Sequence, residues 1–340
     1  MRISILRPGL LTTVQDLGRP AYQHLGIVVS GALDAVALRA ANLLVGNDEC
    51  AAGLEITLLG PTLRFEVGHL IALTGADLSP TLDGQPAPMH RPVAVRAGTV
   101  LAFGAARAGC RAYLAVAGGL AVPPVLGSRS TYLRAGLGGW HGRALRAGDE
   151  LPVGAPTAAG QQLRQAVVAA SLATGCAAPG WAAARWTPSP GLCRVPRPQP
   201  IIRAVRGPEY EQFAGASQQA FWREPFIITP AADRMGYRLR GPELRRKTDA
   251  ELLSSAVTFG TVQVPPGGQP IALLADAQTT GGYPRLAQVI TADFGTLAQA
   301  RPGQALRFQE VSLAEAQGLY LAQERRLRAL RRAIFLKLLA

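Results

Sequence analysis

Apolar and polar positions along this chain fall mostly into short runs separated by turn residues. Arg2–Leu6 alternates and predicts a first strand. Leu11–Arg19 follows as a polar segment closed by Gly18. Between Asp34 and Val45 the period lengthens: Val36, Ala37, Ala40, Ala41 and Leu44 recur at helical intervals. Asp34 stands at the N-cap or in the first turn, and Gly46-Asn47 supplies the stop. From Leu54 the pattern returns to strands, at Leu54–Leu58, Leu63–Val67, Leu70–Leu73, Val93–Val95, Thr99–Phe103 and Arg111–Val116. Gly60-Pro61, Gly75, Asp83-Gly84, Ala97-Gly98 and Gly118-Gly119 punctuate them. Many short strands with regular turns indicate a barrel or sandwich.

Residues 154–200 are rich in Ala, Pro and Gln, with a short helix near Gln161–Leu172, and read as a connector. Strands resume at Ile201–Val205. The halves echo one another in order. Gly60-Pro61-Thr62-Leu63 is answered by Gly241-Pro242-Glu243-Leu244, and Gly84-Gln85-Pro86 by Gly268-Gln269-Pro270. Arg96-Ala97-Gly98-Thr99-Val100-Leu101 is answered by Arg301-Pro302-Gly303-Gln304-Ala305-Leu306. Such pieces are common turn chemistry, but three in order suggest two related barrels. Ser312-Leu313-Ala314-Glu315 is a capping box that starts a final helix. Leu327, Leu330, Ile334 and Leu338 share one face of it, which points to docking on a partner or on the protein itself, with a membrane surface as the alternative.

The most chemically loaded stretch is Gln263–Asp293. An apolar run, Ile271–Ala275, has the length of a buried strand and ends in Asp276-Ala277-Gln278-Thr279-Thr280-Gly281-Gly282-Tyr283-Pro284. Glycines without a Cβ accept positive φ and let backbone amides approach a ligand. A carboxylate, an amide, two hydroxyls and a phenol on one lip can bind a small polar molecule. The same residues also suit a plain hairpin loop.

Composition narrows the picture. The 340 residues suggest two domains, and 48 % hydrophobic content supports a large core. Net charge is +13, carried almost wholly by Arg, since Lys stands only at 247 and 337. From Glu324 onward six cations face that one acid, a local +5. No nucleic-acid motif accompanies them, and aromatics are not interleaved with the basic residues. Cys50, Cys110, Cys176 and Cys193 form no C-x-x-C pair, which argues against a zinc site or a disulfide framework. Met1–Pro8 lacks an apolar signal segment, and no stretch has the length of a membrane span, so a soluble cytoplasmic protein is expected. A Walker A loop, a paired-histidine metal motif, a G-x-S-x-G elbow and a biotin-attachment sequence are all missing.

Thr12–Arg19, Ser30-Gly31-Ala32-Leu33-Asp34, Ala41–Asn47, Leu54–Thr57 with Gly60-Pro61, Gly127–Thr131, Asp233–Leu239 and Gln263–Pro284 together resemble the biotin-dependent carboxyltransferase family, which includes the second component of allophanate hydrolase, the Kip anti-inhibitor and the C component of 5-oxoprolinase. The resemblance runs to about Ala316. It implies a mainly β fold of two tandem cyclophilin-like β-barrel domains, at 1–155 and 200–312, with a 156–199 connector and a 313–340 basic helix. It further implies a Kip-inhibitor-like B component and a TIM-barrel A component as partners, ATP (with Mg2+) as cofactor, and no biotin on this chain. The activity implied is ATP-dependent opening of 5-oxo-L-proline to L-glutamate. A carboxyltransferase acting on urea or a related amide, and a non-catalytic regulator that binds a Kip-inhibitor-like protein, are the alternatives.

Phosphorylating a lactam oxygen needs cations to shield like charges, and arginine does so by bidentate bonds. The matched segments therefore nominate Arg234, Arg238 and Arg129, with Ser130 and Thr131, for anion binding. Gln263 would orient the amide, and Asp276 would act as base or metal ligand, with Asp233 beside Arg234. Thr279, Thr280, the Gly281-Gly282 amides and Tyr283 would hold an oxyanion or substrate. Many relatives carry Arg where Ala277 stands here.

Overall fold

The computed structural model describes residues 1–173, 180–192, 198–248 and 252–339. The chain divides into two compact units. Unit one comprises Met1–Gly18, Asp34–Val195 and Glu324–Ala340, and unit two comprises Arg19–Leu33 and Pro196–Gln323.

Unit one is built on two six-stranded sheets. One runs Glu150–Pro152, Arg2–Arg7, Thr62–Phe65, Val100–Ala102, Thr81–Leu82, Gln85–Pro86; the other runs Trp181–Ala183, Val93–Val95, His69–Asp77, Ala108–Val116, Gly53–Thr57, Leu11–Gln15. Their facing residues, including Ile3, Ile5, Leu63 and Phe65 from the first and Leu54, Ile56, Ile71 and Leu114 from the second, form one core. The second sheet is covered on its other side too. Leu70, Ala72, Ala94 and Ala115 pack there with the helices α1 (Ala35–Leu44), α2 (Ala158–Ala173) and the end of α5 (Leu313–Leu339). Burial on both faces explains why the His69–Asp77 and Ala108–Val116 strands read as near-continuous apolar runs rather than as alternation.

Asp34 caps α1, its Oδ1 accepting from Ala37 N at 3.0 Å. Ser312 Oγ accepts from Glu315 N at 3.1 Å and starts α5 in the same way. Leu163 and Val167 of α2 join the helix-side core, so the described part of the expected 156–199 connector is a packed element of unit one. Likewise α5 from Glu324 belongs to unit one, because Leu327, Leu330 and Ile334 are buried there. Cys50 and Cys110 are free thiols. Cys176 and Cys193 lie outside the described residues.

Unit two contains a closed barrel of Ile201–Arg206, Arg285–Val289, Thr261–Gln263, Ile271–Leu273, Gly236–Arg240, Phe226–Ile228 and Ala305–Glu310. A parallel pairing of Ile201–Ala204 with Arg307–Glu310 closes it. Phe221 of α3 (Gly215–Arg223) stacks on Phe308 with ring centroids 4.5 Å apart and packs beside Phe226. Each such buried ring contributes roughly 2–3 kcal/mol. The short α4 (Phe294–Gln299) follows the strand that ends at Val289.

The three echoed segments share their physical cause in both units. Gly98 and Gly303 have φ of 85° and 83°, and Gly84 and Gly268 have φ of 80° and 70°. Gly60 and Gly241 are instead glycines because a phenylalanine lies against each. An added Cβ would fall 2.4 Å from Phe103 Cβ and 2.5 Å from Phe226 Cδ1, respectively. The polar segment that opens at Leu11 is a strand as far as Gln15. Its Thr12, Thr13 and Gln15 are buried with most of their polar groups bonded inside: Thr12 Oγ1 donates to Pro8 O at 2.7 Å, and Gln15 Nε2 donates to Thr13 Oγ1 and Thr131 O, both at 3.1 Å, while Gln15 Oε1 has no partner among the described residues.

Gly60→Ala should destabilise unit one by about 1–3 kcal/mol through overpacking against Phe103, read as a lower urea midpoint. A second outcome concerns His69, which is buried beside Phe65. Desolvation, then the charge on Arg164, hold its pKa down at about 4. The unfolded state takes up this proton near pH 6.5 and the folded state only near 4, so the stability present above pH 6.5 declines on acidification across that window. The full loss is about 3 kcal/mol, and His69→Leu should flatten this part of the stability–pH curve.

Candidate functional site

The candidate site lies within unit two, where a buried ion pair fixes two distant chain segments. Arg234 precedes the Gly236–Arg240 strand and Asp276 follows the Ile271–Leu273 strand; both are buried. Arg234 donates from Nε to Asp276 Oδ2 at 2.9 Å and from Nη2 to Oδ1 at 3.1 Å. The same Nη2 donates to the Gly31 carbonyl at 2.6 Å. Asp276 N donates to Arg234 O, and Ser30 N donates to Ala275 O, both at 3.0 Å. The turn at Ala275–Ala277 and the Ser30-Gly31 segment are thereby held together. Ser30 has φ of 56° and Gly31 has φ of 95°. A serine in the left-handed region stores strain and persists only where its surroundings over-determine it.

Next to this clamp is a cavity of about 520 Å3. Ser30, Gln23, Gln278 and Thr279 contribute polar groups to its wall, and none of its lining residues is charged. Phe259 and Phe294 form one side, stacked parallel at 4.2 Å. Gln288 shapes the floor with its own amide satisfied. Its Nε2 donates to Phe259 O at 2.8 Å, and its Oε1 accepts from Thr261 Oγ1 at 2.9 Å. The side chains of Gln278 and Thr279 make no hydrogen bond to protein among the described residues, so they can address a ligand. A smaller cavity in unit one, beside Arg164 and Trp181, is about 50 Å3 and has room for no more than a water or two.

The other nominated residues are placed as follows. Asp233 is exposed, and its Oδ1 accepts from Met235 N at 2.8 Å and Gly236 N at 3.2 Å, the turn that launches the next strand. Arg238 is exposed on that strand, and Tyr283 is exposed beyond the double glycine. Thr280 and Gly281 form a short strand paired with Ser255 and Ala256, and neither Gly281 nor Gly282 adopts positive φ. Gln263 is buried behind Gly281, where a Cβ would come 3.3 Å from its Oε1; that oxygen has no protein partner among the described residues. Gln278 and Thr279 therefore reach the cavity, Arg234 and Asp276 brace it, and Asp233, Arg238 and Tyr283 lie away from its lining.

Arg129, Ser130 and Thr131 lie in unit one, where Arg129 N and Ser130 Oγ meet a buried carboxylate. Asp16 accepts from Ser128 Oγ at 2.6 Å, from Ser130 Oγ and Arg129 N at 2.5 Å, and from Gly18 N at 2.8 Å. Arg129 Nε donates to Val122 O, and Thr131 Oγ1 donates to Val14 O. The Asp16 carboxylate is thereby satisfied within unit one. Sequence reasoning missed Gln23, Phe259, Phe294 and Gln288 as cavity residues, since no periodicity marks them. For Ser30 the Ser-Gly dipeptide was the available signal.

The molecule is thus a mainly β chain whose barrel unit holds an uncharged cavity beside a buried Arg–Asp pair. Residues 25–310 match the model of the carboxyltransferase domain, subdomain A and B, and the chain belongs to that family. It is 46 % identical over 314 residues to the C component of 5-oxoprolinase from Escherichia coli, covering 92 % of this chain and 93 % of that protein. It is 42 % identical over 331 residues to the C component of 5-oxoprolinase from Haemophilus influenzae, covering 96 % and 98 %. The crystal structure of the K. lactis urea amidolyase superposes with a TM-score of 0.85 at 27 % identity, over 97 % of this chain and 20 % of that one.

Arg234→Met should destabilise unit two by about 3–5 kcal/mol, because Asp276 is then a buried charge without its partner. Arg234→Met combined with Asp276→Leu should recover much of that loss in urea denaturation. Native-like stability of the single Arg234→Met variant would refute the bracing role.

Proposed function

We propose that this chain is the C component of a multi-component, cytoplasmic 5-oxoprolinase that opens 5-oxo-L-proline to L-glutamate. A Kip-inhibitor-like B component and a TIM-barrel A component complete the enzyme, and the cavity of the barrel unit receives the lactam. The observation that carries this reading is the near end-to-end likeness to two proteins named as the C component of 5-oxoprolinase.

The cavity supports the reading chemically. 5-Oxoproline presents a planar, neutral lactam with one acceptor and one donor, beside a carboxylate whose charge must be met by a cation outside this lining. Gln278 offers both kinds of group and Thr279 a hydroxyl, while Phe259 and Phe294 supply a flat apolar wall. Such a site binds and orients an amide and limits water around it. It has no titratable lining side chain, so proton transfer falls to groups outside it. Asp276 is committed at both oxygens to Arg234.

The lining does not fit a magnesium-bound triphosphate, which calls for cations and carboxylates. Of the cations nominated for that charge, Arg234 is spent on Asp276, Arg129 Nε on Val122 O, and Arg238 is exposed outside the cavity lining. The two lysines are also engaged, Lys247 Nζ with Glu211 O at 2.8 Å and Lys337 over the Trp186 ring at 5.5 Å, and the proposal attaches no biotin to either.

The fold likeness to urea amidolyase favours a second reading, carboxyl transfer to an amide. Both readings place a neutral amide group in the same cavity, and reconstitution separates them. With both partner components and ATP, the chain should support glutamate formation from 5-oxoproline, insensitive to avidin. Thr279→Val should lower kcat/KM by roughly fivefold to tenfold, the worth of one neutral hydrogen bond, with partner binding unchanged. Absence of glutamate from the complete mixture, or avidin-sensitive turnover of urea, overturns the proposal.

A further inference from the structure

The end of α5 carries a surface that the cavity and its chemistry leave unused. Its inward face is spent: Leu327, Leu330 and Ile334 are buried with α1 residues in the helix-side core of unit one. An ion network locks the helix in place. Glu324 takes Arg39 Nη1 and Nη2 at 2.6 and 2.9 Å, Arg39 Nε reaches Glu49 at 2.6 Å, and Arg331 pairs with the same Glu49. Lys337 lies over Trp186. Burial is therefore set by packing and charge together, and the outward face is presented by a fixed helix.

That outward face reads Arg325, Arg328, Arg332, Phe335 and Leu336, all exposed. The spacing is three, four, three, so the first four fall on one seam of the helix. Phe335 is 60 % and Leu336 64 % exposed. Arg325 and Arg332 make no ion pair among the described residues, and no acidic side chain lies on the stripe. It is about 17 Å long, roughly three helical turns.

We propose that this stripe is a docking surface for an acidic amphipathic helix of a partner protein. That helix would have carboxylates spaced to meet the three guanidinium groups, and an apolar end seated on Phe335 and Leu336. The chemistry selects this occupant. Guanidinium groups pair carboxylates bidentately in a fixed plane, which rewards matched spacing. A second copy of the stripe would set arginine against arginine. An anionic membrane takes up a helix along a continuous apolar face; here Leu327, Leu330 and Ile334 are buried, and Phe335 and Leu336 form an apolar end rather than a face. A nucleic-acid backbone offers phosphates for the arginines but no apolar seat contiguous with them.

The test uses the full chain and a synthetic acidic helical peptide with Glu at matching three- and four-residue intervals and Leu at one end. Controls are a scrambled peptide of the same composition, phosphatidylserine–phosphatidylcholine vesicles and poly(U). The matched peptide should bind with salt-sensitive affinity and outcompete the scrambled one by about tenfold. Arg325→Glu with Arg328→Glu and Arg332→Glu should abolish this, as should Phe335→Ser with Leu336→Ser in large part. Circular dichroism and melting should stay unchanged, since these side chains face outward. Equal binding of matched and scrambled peptides, binding retained by the charge-reversed variant, or stronger binding to vesicles or poly(U) than to the matched peptide each overturns the proposal.

Discussion

The buried pair of Arg234 and Asp276 is the constraint on which the barrel unit's site depends. Removing a guanidinium and a carboxylate from water costs several kcal/mol per ion, and their attraction offsets this only with well-made geometry. Here the fork is bidentate, and the spare capacity of Nη2 goes to Gly31 O. An apolar pair of equal volume would fill the space but could not hold that carbonyl. The ion pair therefore contributes position more than stability. It draws the Ser30-Gly31 segment onto the Ala275–Ala277 turn, and the left-handed backbone at Ser30 is the local strain that this fixation sustains.

The cavity's neutrality follows from the same arrangement. The charges nearest it cancel inside the wall, so amide and hydroxyl groups face the space. In such surroundings hydrogen bonds to a neutral amide gain strength from poor solvent competition, while an unpartnered ionic group is penalised. A wall of this kind offers hydrogen bonds without a titratable group of its own. That restriction suits a chain whose relatives are named as one component of an enzyme.

Much of the fold was legible because burial follows apolar periodicity. The strands at Leu54–Leu58, Val93–Val95 and Ile201–Val205, the helix capped by Asp34 and the face of Leu327, Leu330, Ile334 and Leu338 all appear within a residue or two of their predicted positions. The failures are instructive in the opposite sense. Thr12, Thr13 and Gln15 lie in a buried strand where the Thr12 hydroxyl and the Gln15 Nε2 are bonded internally, which no hydropathy pattern reveals. Beside Arg129 and Ser130, nominated for anion binding, stands the protein's own Asp16, which accepts from Arg129 N and Ser130 Oγ. Motif matching finds residues that are constrained. It does not distinguish a carboxylate supplied by a ligand from one supplied by the chain. The Gln23 and Phe259 walls were illegible for a further reason: they meet only because the Arg19–Leu33 segment joins a unit built mostly from residues far along the chain.

Arginine–carboxylate pairing recurs throughout both units, at Arg203–Asp293, Arg285–Glu209, Arg143–Asp149 and Arg39–Glu324. In each, a planar fork is matched by a carboxylate in the fold, and the pairing raises the affinity of these arginines for their protons. The excess positive charge of the chain is the part left after these matches. Its local concentration after Glu324 is not a diffuse solubility charge, because the helix bearing it is pinned by Arg39, Glu49 and Arg331 and cannot reorient. A rigid row of guanidinium groups ending in two exposed apolar side chains carries both spacing and polarity information. A generic cationic tail would need neither the clamp nor the Phe335–Leu336 end, and the presence of both makes the stripe a specific surface rather than a charged one.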